Sequence, residues 1–366
     1  MSMKLHTWMG FIFLSILVSC LTVKAKESLQ PLIFKAPLAY PESFDWDPSH
    51  GRFLLGSITS GSIFSVSPAG NVEEFVNDDD YAGTAAVLGI HVDLPRNRVI
   101  AAVQNMNASD APYSAVAAYE LDTKRRIMFT ELHHVGVQEG EKCMVNDVTV
   151  DRAGNVYLTN SYGDFVWKVT VDGMPSVFAQ DTIFSSQPVV VDSSVAWWGL
   201  NGLAYHTEGY LLVVQSYSGT VFKVDLESAK VDVVNMKEQL ASADGVVLQS
   251  NGALVAVSPE KAWLLESKDN WESAMVTDII PFDPLDSITA VAIRDQYQIY
   301  VLPSFISDSI DEENHREEFL LREIDFLKES DGDDPLWIGL IIVVFILVML
   351  AWRVHTSQLY KNKRKV

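Results

Sequence analysis

The sequence predicts an all-β protein: a six-bladed β-propeller with an N-terminal signal segment and a C-terminal single transmembrane helix. Three features predict it. A strand–turn–strand pattern recurs six times at blade-length spacing. An apolar run opens the chain. A second apolar run, with acids before it and bases after it, lies near the end.

The repeat is clearest in the middle. Residues 145–171 (VNDVTVDRAGNVYLTNSYGDFVWKVTV) and 200–226 (LNGLAYHTEGYLLVVQSYSGTVFKVDL) follow one plan. A small polar residue opens an alternating apolar strand, and a polar turn containing Gly leads to a second. A Ser-Tyr turn then leads to a third. Alternation with period two buries one face of a strand, and such turns reverse the chain, so each segment reads as a meander of hairpins. The opening recurs at 41–57, 87–103, 243–258 and 288–304. The residues that open the first turn are Asp47, Asp93, Asp151, His206, Gln249 and Arg294. They are 46, 58, 55, 43 and 45 residues apart, the length of a four-stranded blade plus loops. Six units over residues 37–306 predict six blades. A solenoid would need capping units, and none is evident in the sequence.

Composition agrees. The 366 residues are 48% hydrophobic and 20% charged, which excludes disorder throughout. Nine Trp, twelve Tyr, seventeen Phe and twenty Gly favour strands and turns. The net charge of −21 argues against nucleic acid as a partner, because phosphate binding needs basic surface. Two cysteines exclude a disulfide framework.

Residues 1–25 read as a signal peptide. Lys4 and His6 precede an apolar run from Gly10 to Val23, and Val23-Lys24-Ala25 offers a cleavage site. Cleavage removes Cys20 and leaves Cys143, expected to be buried or unpaired. Residues 336–352 carry no charge and place Trp337 and Trp352 at their ends, as in a short membrane-spanning helix. Arg353, Lys361, Lys363, Arg364 and Lys365 follow it, so the tail 353–366 is expected in the cytosol. This describes a single-pass type I membrane protein of the secretory pathway. The short span and the ending Lys363-Arg364-Lys365-Val366 slightly favour the endoplasmic reticulum. All 48 acids and 20 of the bases lie between Lys26 and Pro335. Twelve of those acids fall in 306–335, so residues 307–335 read as an acidic stalk. Asp78-Asp79-Asp80 reads as a loop.

Closing a propeller brings equivalent positions of the inner strands to one level around the axis. Five residues before each turn stand Glu42, Leu88, Asn146, Asn201, Asp244 and Thr289. Two carboxylates and two carboxamides converging there repel unless a cation joins them. All-oxygen ligation with two negative charges suits a hard divalent cation, Ca²⁺ first and Mg²⁺ or Mn²⁺ next.

The segments PESFDWDP, VNDVTVDRAGNVY, LNGLAYHTEGYLL and ADGVVLQSNGAL resemble the SMP-30/gluconolactonase/LRE-like family of six-bladed propellers. The resemblance implies a divalent cation in the channel, with Glu42, Asn201 and Asp244 as principal ligands. It implies that Asn146 reaches the metal or the substrate, and that Asp244 is the general base. Where lactonase members carry an arginine that grips the sugar lactone, this chain has Met144, which points to a more apolar ester or lactone.

Met144, Trp197 and Trp198 are candidates for the substrate wall. His133-His134 reads as a solvated pair, His91 as a core histidine, and Asn107-Ala108-Ser109 as a glycosylation sequon. No phosphate loop, zinc signature or G-x-S-x-G elbow occurs. The function expected is a membrane-anchored, divalent-metal-dependent hydrolase of a small ester or lactone. The alternative is a non-catalytic propeller whose metal is structural and whose faces bind a ligand or a protein.

Overall fold

Strands form where the repeat places them. The computed structural model describes residues 30–37, 39–105, 113–191, 198–295, 297–306, 308, 316–326, 348–349 and 351–357. Strands are numbered in chain order. The innermost are β2 (Pro41–Asp47), β6 (Ala86–Asp93), β10 (Val145–Val150), β14 (Leu200–His206), β18 (Val246–Leu248) and β22 (Ile288–Arg294). Each opens a four-stranded antiparallel sheet, and the described residues form six such sheets. Each inner strand packs on the next, and β22 packs back on β2, so the ring is closed. This is the six-bladed propeller that the repeat predicts.

The propeller is longer at both ends than the expected span of 37–306. The sixth sheet runs β22, β23 (Gln298–Pro303), β24 (Glu318–Ile324) and β1 (Leu32–Lys35). The chain's first described strand is thus the outer strand of its last blade, with Phe34 opposite Phe319. Closure by a strand from the far end ties the ring shut. It also corrects the reading of 307–335 as a stalk, because residues 318–324 belong to the sheet. Phe319 and Leu321 are buried at 1% and 0% exposure, while Glu318 beside them is exposed and Glu323 is half-buried, accepting from Tyr300 Oη at 3.1 Å. The acidic composition hid an alternating strand. Asp308, also in that stretch, is held by Arg316 at 2.8 Å.

The core lies between consecutive blades. Leu54 and Ile63 of the first blade meet Val99, Ala101 and Ala117 of the second in one layer. The turn residues latch these layers. Asp47 takes Arg52 Nε at 3.0 Å, and the same guanidinium donates to Leu121 O of the second blade at 2.9 Å. Asp93 takes Arg98 Nε at 2.8 Å, and Arg98 donates to Gly154 O of the third blade at 2.8 Å. An acid at the turn and an arginine five residues on therefore join the first blade to the second and the second to the third.

Residues 1–29, 106–112, 192–197 and 327–347 lie outside the described residues. They include the signal segment, Asn107, Trp197 and most of the span 336–352. Among the described residues no helix is long and apolar enough to cross a membrane. Residues 351–357 are helical.

Candidate metal centre in the propeller channel

The inner strands carry a bulge at the level picked out by the sequence. On β10 the pairing passes from Val145↔Asn160 to Val148↔Leu158, so Asn146 and Asp147 face one residue. The register shifts likewise at Glu42, at Leu88-Gly89, at Asn201-Gly202 and at Thr289. In the fifth blade Asp244 N–H donates to Val257 O at 2.7 Å, and Val257 N–H donates to Gly245 O at 3.0 Å, giving the same irregularity just before β18. A bulge adds a residue and re-aims its side chain, here toward the axis. Gly202 makes the close approach possible. Its N–H donates to Asp244 O at 3.0 Å, and a Cβ there would lie 2.2 Å from that oxygen.

Glu42, Asn146, Asn201 and Asp244 line one cavity of about 190 Å³, with Leu88 and Thr289 completing the level. The four oxygen-bearing residues expected to converge are therefore brought together. Two further acids, Asp45 and Asp147, line the same cavity. Asp147 was legible beside Asn146, but only the bulge turns both toward the axis. His91 also lines the channel, half-exposed, with Nδ1 3.8 Å from Asp45 Oδ2. The expectation of a core histidine is thereby corrected. Its strand face belongs to the solvated channel and not to an inter-blade layer.

Two serines orient the carboxamides. Ser161 Oγ donates to Leu200 O at 2.7 Å, and Ser216 Oγ donates to Ala243 O at 2.6 Å. Each hydroxyl has one proton, so each must accept from the group on its other side. Asn146 Nδ2 donates to Ser161 Oγ at 2.9 Å and Asn201 Nδ2 to Ser216 Oγ at 3.1 Å. Both amide nitrogens are thereby committed, and the carboxamide oxygens are left for the channel. Each serine follows its asparagine by 15 residues, in the Ser-Tyr turn of the repeat. That spacing was the sequence signal for them.

The acids repel one another. Burial, then the charges of Asp244 and Asp147, holds the Glu42 carboxyl well above the usual range. Burial and Asp147 push Asp244 up to about 8, against a hydrogen bond from Asn201. Burial pushes Asp147 up to about 7, against the Val148 and Leu203 amides, with Asp45 adding to the rise. Burial also raises Asp45, and His91 beside it offsets part of the effect. Among the described residues no Lys or Arg lines the cavity to compensate them. This donor set, two carboxylates and two oriented carbonyl oxygens with uncompensated negative charge, fits a hard divalent cation.

Two results are expected from this geometry. Ser216→Ala frees the Asn201 carboxamide and lowers calcium affinity about 10–100-fold, read by titration; unchanged affinity contradicts the orienting role. The second concerns pH. Acids whose folded pKa lies above the unfolded value bind protons only in the folded state across the interval between. In chelator-treated protein, stability therefore falls as pH rises from about 4, the usual range, through about 8, as Asp147 and then Asp244 ionise. Thermal melts across this range, with and without calcium, test it: calcium should restore most at the alkaline end.

The remaining candidates fall nearby or elsewhere. Met144 is buried at 2% and packs with Ala86, Leu88, Ile58 and Trp198. This apolar cluster adjoins the channel through Leu88, although neither Met144 nor Trp198 lines the cavity itself. Cys143 is buried, as expected, with Sγ 3.3 Å from Ser114 Oγ. Asp78 and Asp80 pair with Arg126 at 2.9 and 2.6 Å in a loop, away from the channel lining.

No protein-family model and no curated protein matches the chain. Solved structures share its fold. The major Malassezia sympodialis allergen Mala s 1 superposes with a TM-score of 0.66 at 18% identity, covering 82% of this chain and 96% of that one. Luciferin-regenerating enzyme gives 0.54 at 14%, covering 81% and 96%. The Xanthomonas campestris gluconolactonase XC5397 gives 0.51 at 15%, covering 81% and 89%. The structures that this chain resembles thus include a luciferin-regenerating enzyme and a gluconolactonase, in keeping with the resemblance read from the motifs, and what they share with it is the six-bladed fold.

Proposed function

We propose that this protein is a membrane-anchored, divalent-metal-dependent hydrolase of a small ester or lactone. One observation carries the reading. Glu42, Asp244 and the serine-oriented Asn146 and Asn201 line one channel cavity that, among the described residues, no lysine or arginine lines. Those four residues would hold a cation, Ca²⁺ first, which when bound supplies Lewis acidity to a carbonyl oxygen and acidifies water.

This chain's own residues do the rest. Asp244 accepts a proton from the water that attacks the carbonyl carbon. The new carbon–oxygen bond forms, the bond to the alkoxy oxygen breaks, and Asp244 returns the proton to that leaving oxygen. Asp147 adds negative charge beside Asp244 and favours its proton-bearing form. The apolar cluster of Ile58, Leu88, Met144 and Trp198 supports an apolar substituent on the substrate in place of a sugar. The shared fold with a gluconolactonase supports the lactone class.

Purified full-length protein should hydrolyse alkyl lactones or aryl esters, lose the activity to a strong chelator, and regain it with Ca²⁺. Cation binding without turnover would favour the non-catalytic propeller. The residues at 1–25 and 336–366 support the type I orientation, with the endoplasmic reticulum slightly favoured. Protease added to intact microsomes should trim the tail and spare the propeller; digestion of the propeller refutes that orientation.

A further inference from the structure

A second donor set lies outside the channel. Strand β9 (Arg126–Glu131) is the outer strand of the second blade. The chain leaves it through Leu132, which is fully buried and donates its N–H to Ser114 O at 2.8 Å. Val135 N–H then returns to Leu132 O at 2.8 Å, closing a turn with His133 and His134 at its two corners. Val135 O accepts from Trp167 Nε1 at 2.8 Å, so the turn is fastened on its far side as well.

The fastening forces the two imidazoles together. Their ring centroids are 3.7 Å apart. One ligand atom from each of Glu131, His133 and His134 lies within 4.8 Å of the other two. His133 Nδ1 is removed from solvent and has no hydrogen-bond partner. A polar ring atom withdrawn from water without a replacement partner is an uncompensated cost. The same atom, deprotonated, is a metal ligand. The sequence alone reads this pair as solvated; the fastened turn and the end of β9 supply what it lacked.

We propose that Glu131, His133 and His134 form a zinc site at the outer edge of the second blade, separate from the channel. Two imidazole nitrogens and one carboxylate oxygen are the donor set of a three-ligand zinc site with a fourth position left for water. They do not suit calcium, which takes oxygen ligands. Two donors on one zinc are at most about 4.2 Å apart, so rotation of the exposed Glu131 and His134 side chains closes the set. The register runs Ala86↔Gln104, Gln104↔Ser114 and Ala115↔Glu131 across the blade. The site therefore stands at the same end of the blade as the Leu88 bulge. From it the chain runs on to Met144 and Asn146, so zinc there fastens the start of the connection that delivers Asn146 to the channel.

The test uses untagged full-length protein, saturated with calcium and stripped of transition metals, titrated with Co²⁺ and then Zn²⁺. One equivalent of Co²⁺ should bind with visible d–d absorption and be displaced by Zn²⁺. His134→Ala, an exposed change, should weaken zinc at least tenfold, and His133→Ala combined with His134→Ala should lose the equivalent. Circular dichroism of both variants should match the parent. Glu42→Gln should keep the equivalent. Zinc stoichiometry unchanged by the histidine substitutions overturns the proposal. So does an equivalent lost with Glu42→Gln, which would place zinc in the channel.

Discussion

Asp244→Asn leaves the propeller folded and lowers ester or lactone turnover about 10²–10⁴-fold, the usual cost of losing a general base. The substitution keeps an oxygen and nearly the same shape. Asp244 faces the channel cavity and not an inter-blade layer, so no core void opens. What is lost is charge and basicity. Calcium affinity should fall as well, and the two losses separate in one experiment. Turnover measured at saturating calcium stays low if Asp244 takes the proton, and recovers if it serves the cation alone. In a non-catalytic propeller the same change would lower the calcium-dependent gain in thermal stability and leave ligand capture intact once the metal was saturated. Turnover unaffected by Asp244→Asn, or by a strong chelator, would end the metallohydrolase reading.

Phe34→Ala should destabilise the propeller by about 3–5 kcal/mol, the range for emptying a buried aromatic site. Phe34 is 2% exposed and meets Phe319 at a ring distance of 6.1 Å, in the layer shared by the first and last blades. It therefore sits where the ring is tied. Ile33, one residue away on the other face of β1, is 50% exposed. Ile33→Ala should cost within about 0.5 kcal/mol, as surface changes do. Denaturant melts of the two variants compare them directly. Equal effects would contradict a closing strand with one buried face.

The candidate site was legible because of how a repeat encodes a ring. Each inner strand has a local signal: alternation, a polar turn, and a residue five places before it. Those signals are contiguous in the chain, so Glu42, Asn146, Asn201 and Asp244 could be placed at one level without coordinates. Asp45, Asp147, Ser161 and Ser216 were not placed. Their roles depend on a bulge or on a hydrogen bond between blades, and Ser216 reaches Ala243 O, 27 residues away. The closing strands β1 and β24 were missed for a related reason. Their partners are nearly 290 residues apart, β24 is masked by acids, and neither shows the repeat's turn.

By itself the sequence determined the number of blades, the phase of the channel residues and the oxygen-rich donor set. These follow from patterns of period two inside a repeat of blade length, and neighbouring residues carry them. Only the tertiary structure decided how the ring closes, which way the asparagine oxygens point, and that Glu131 stands against His133 and His134. Those depend on the packing of separate strands and turns, which fixes distances that sequence spacing does not encode.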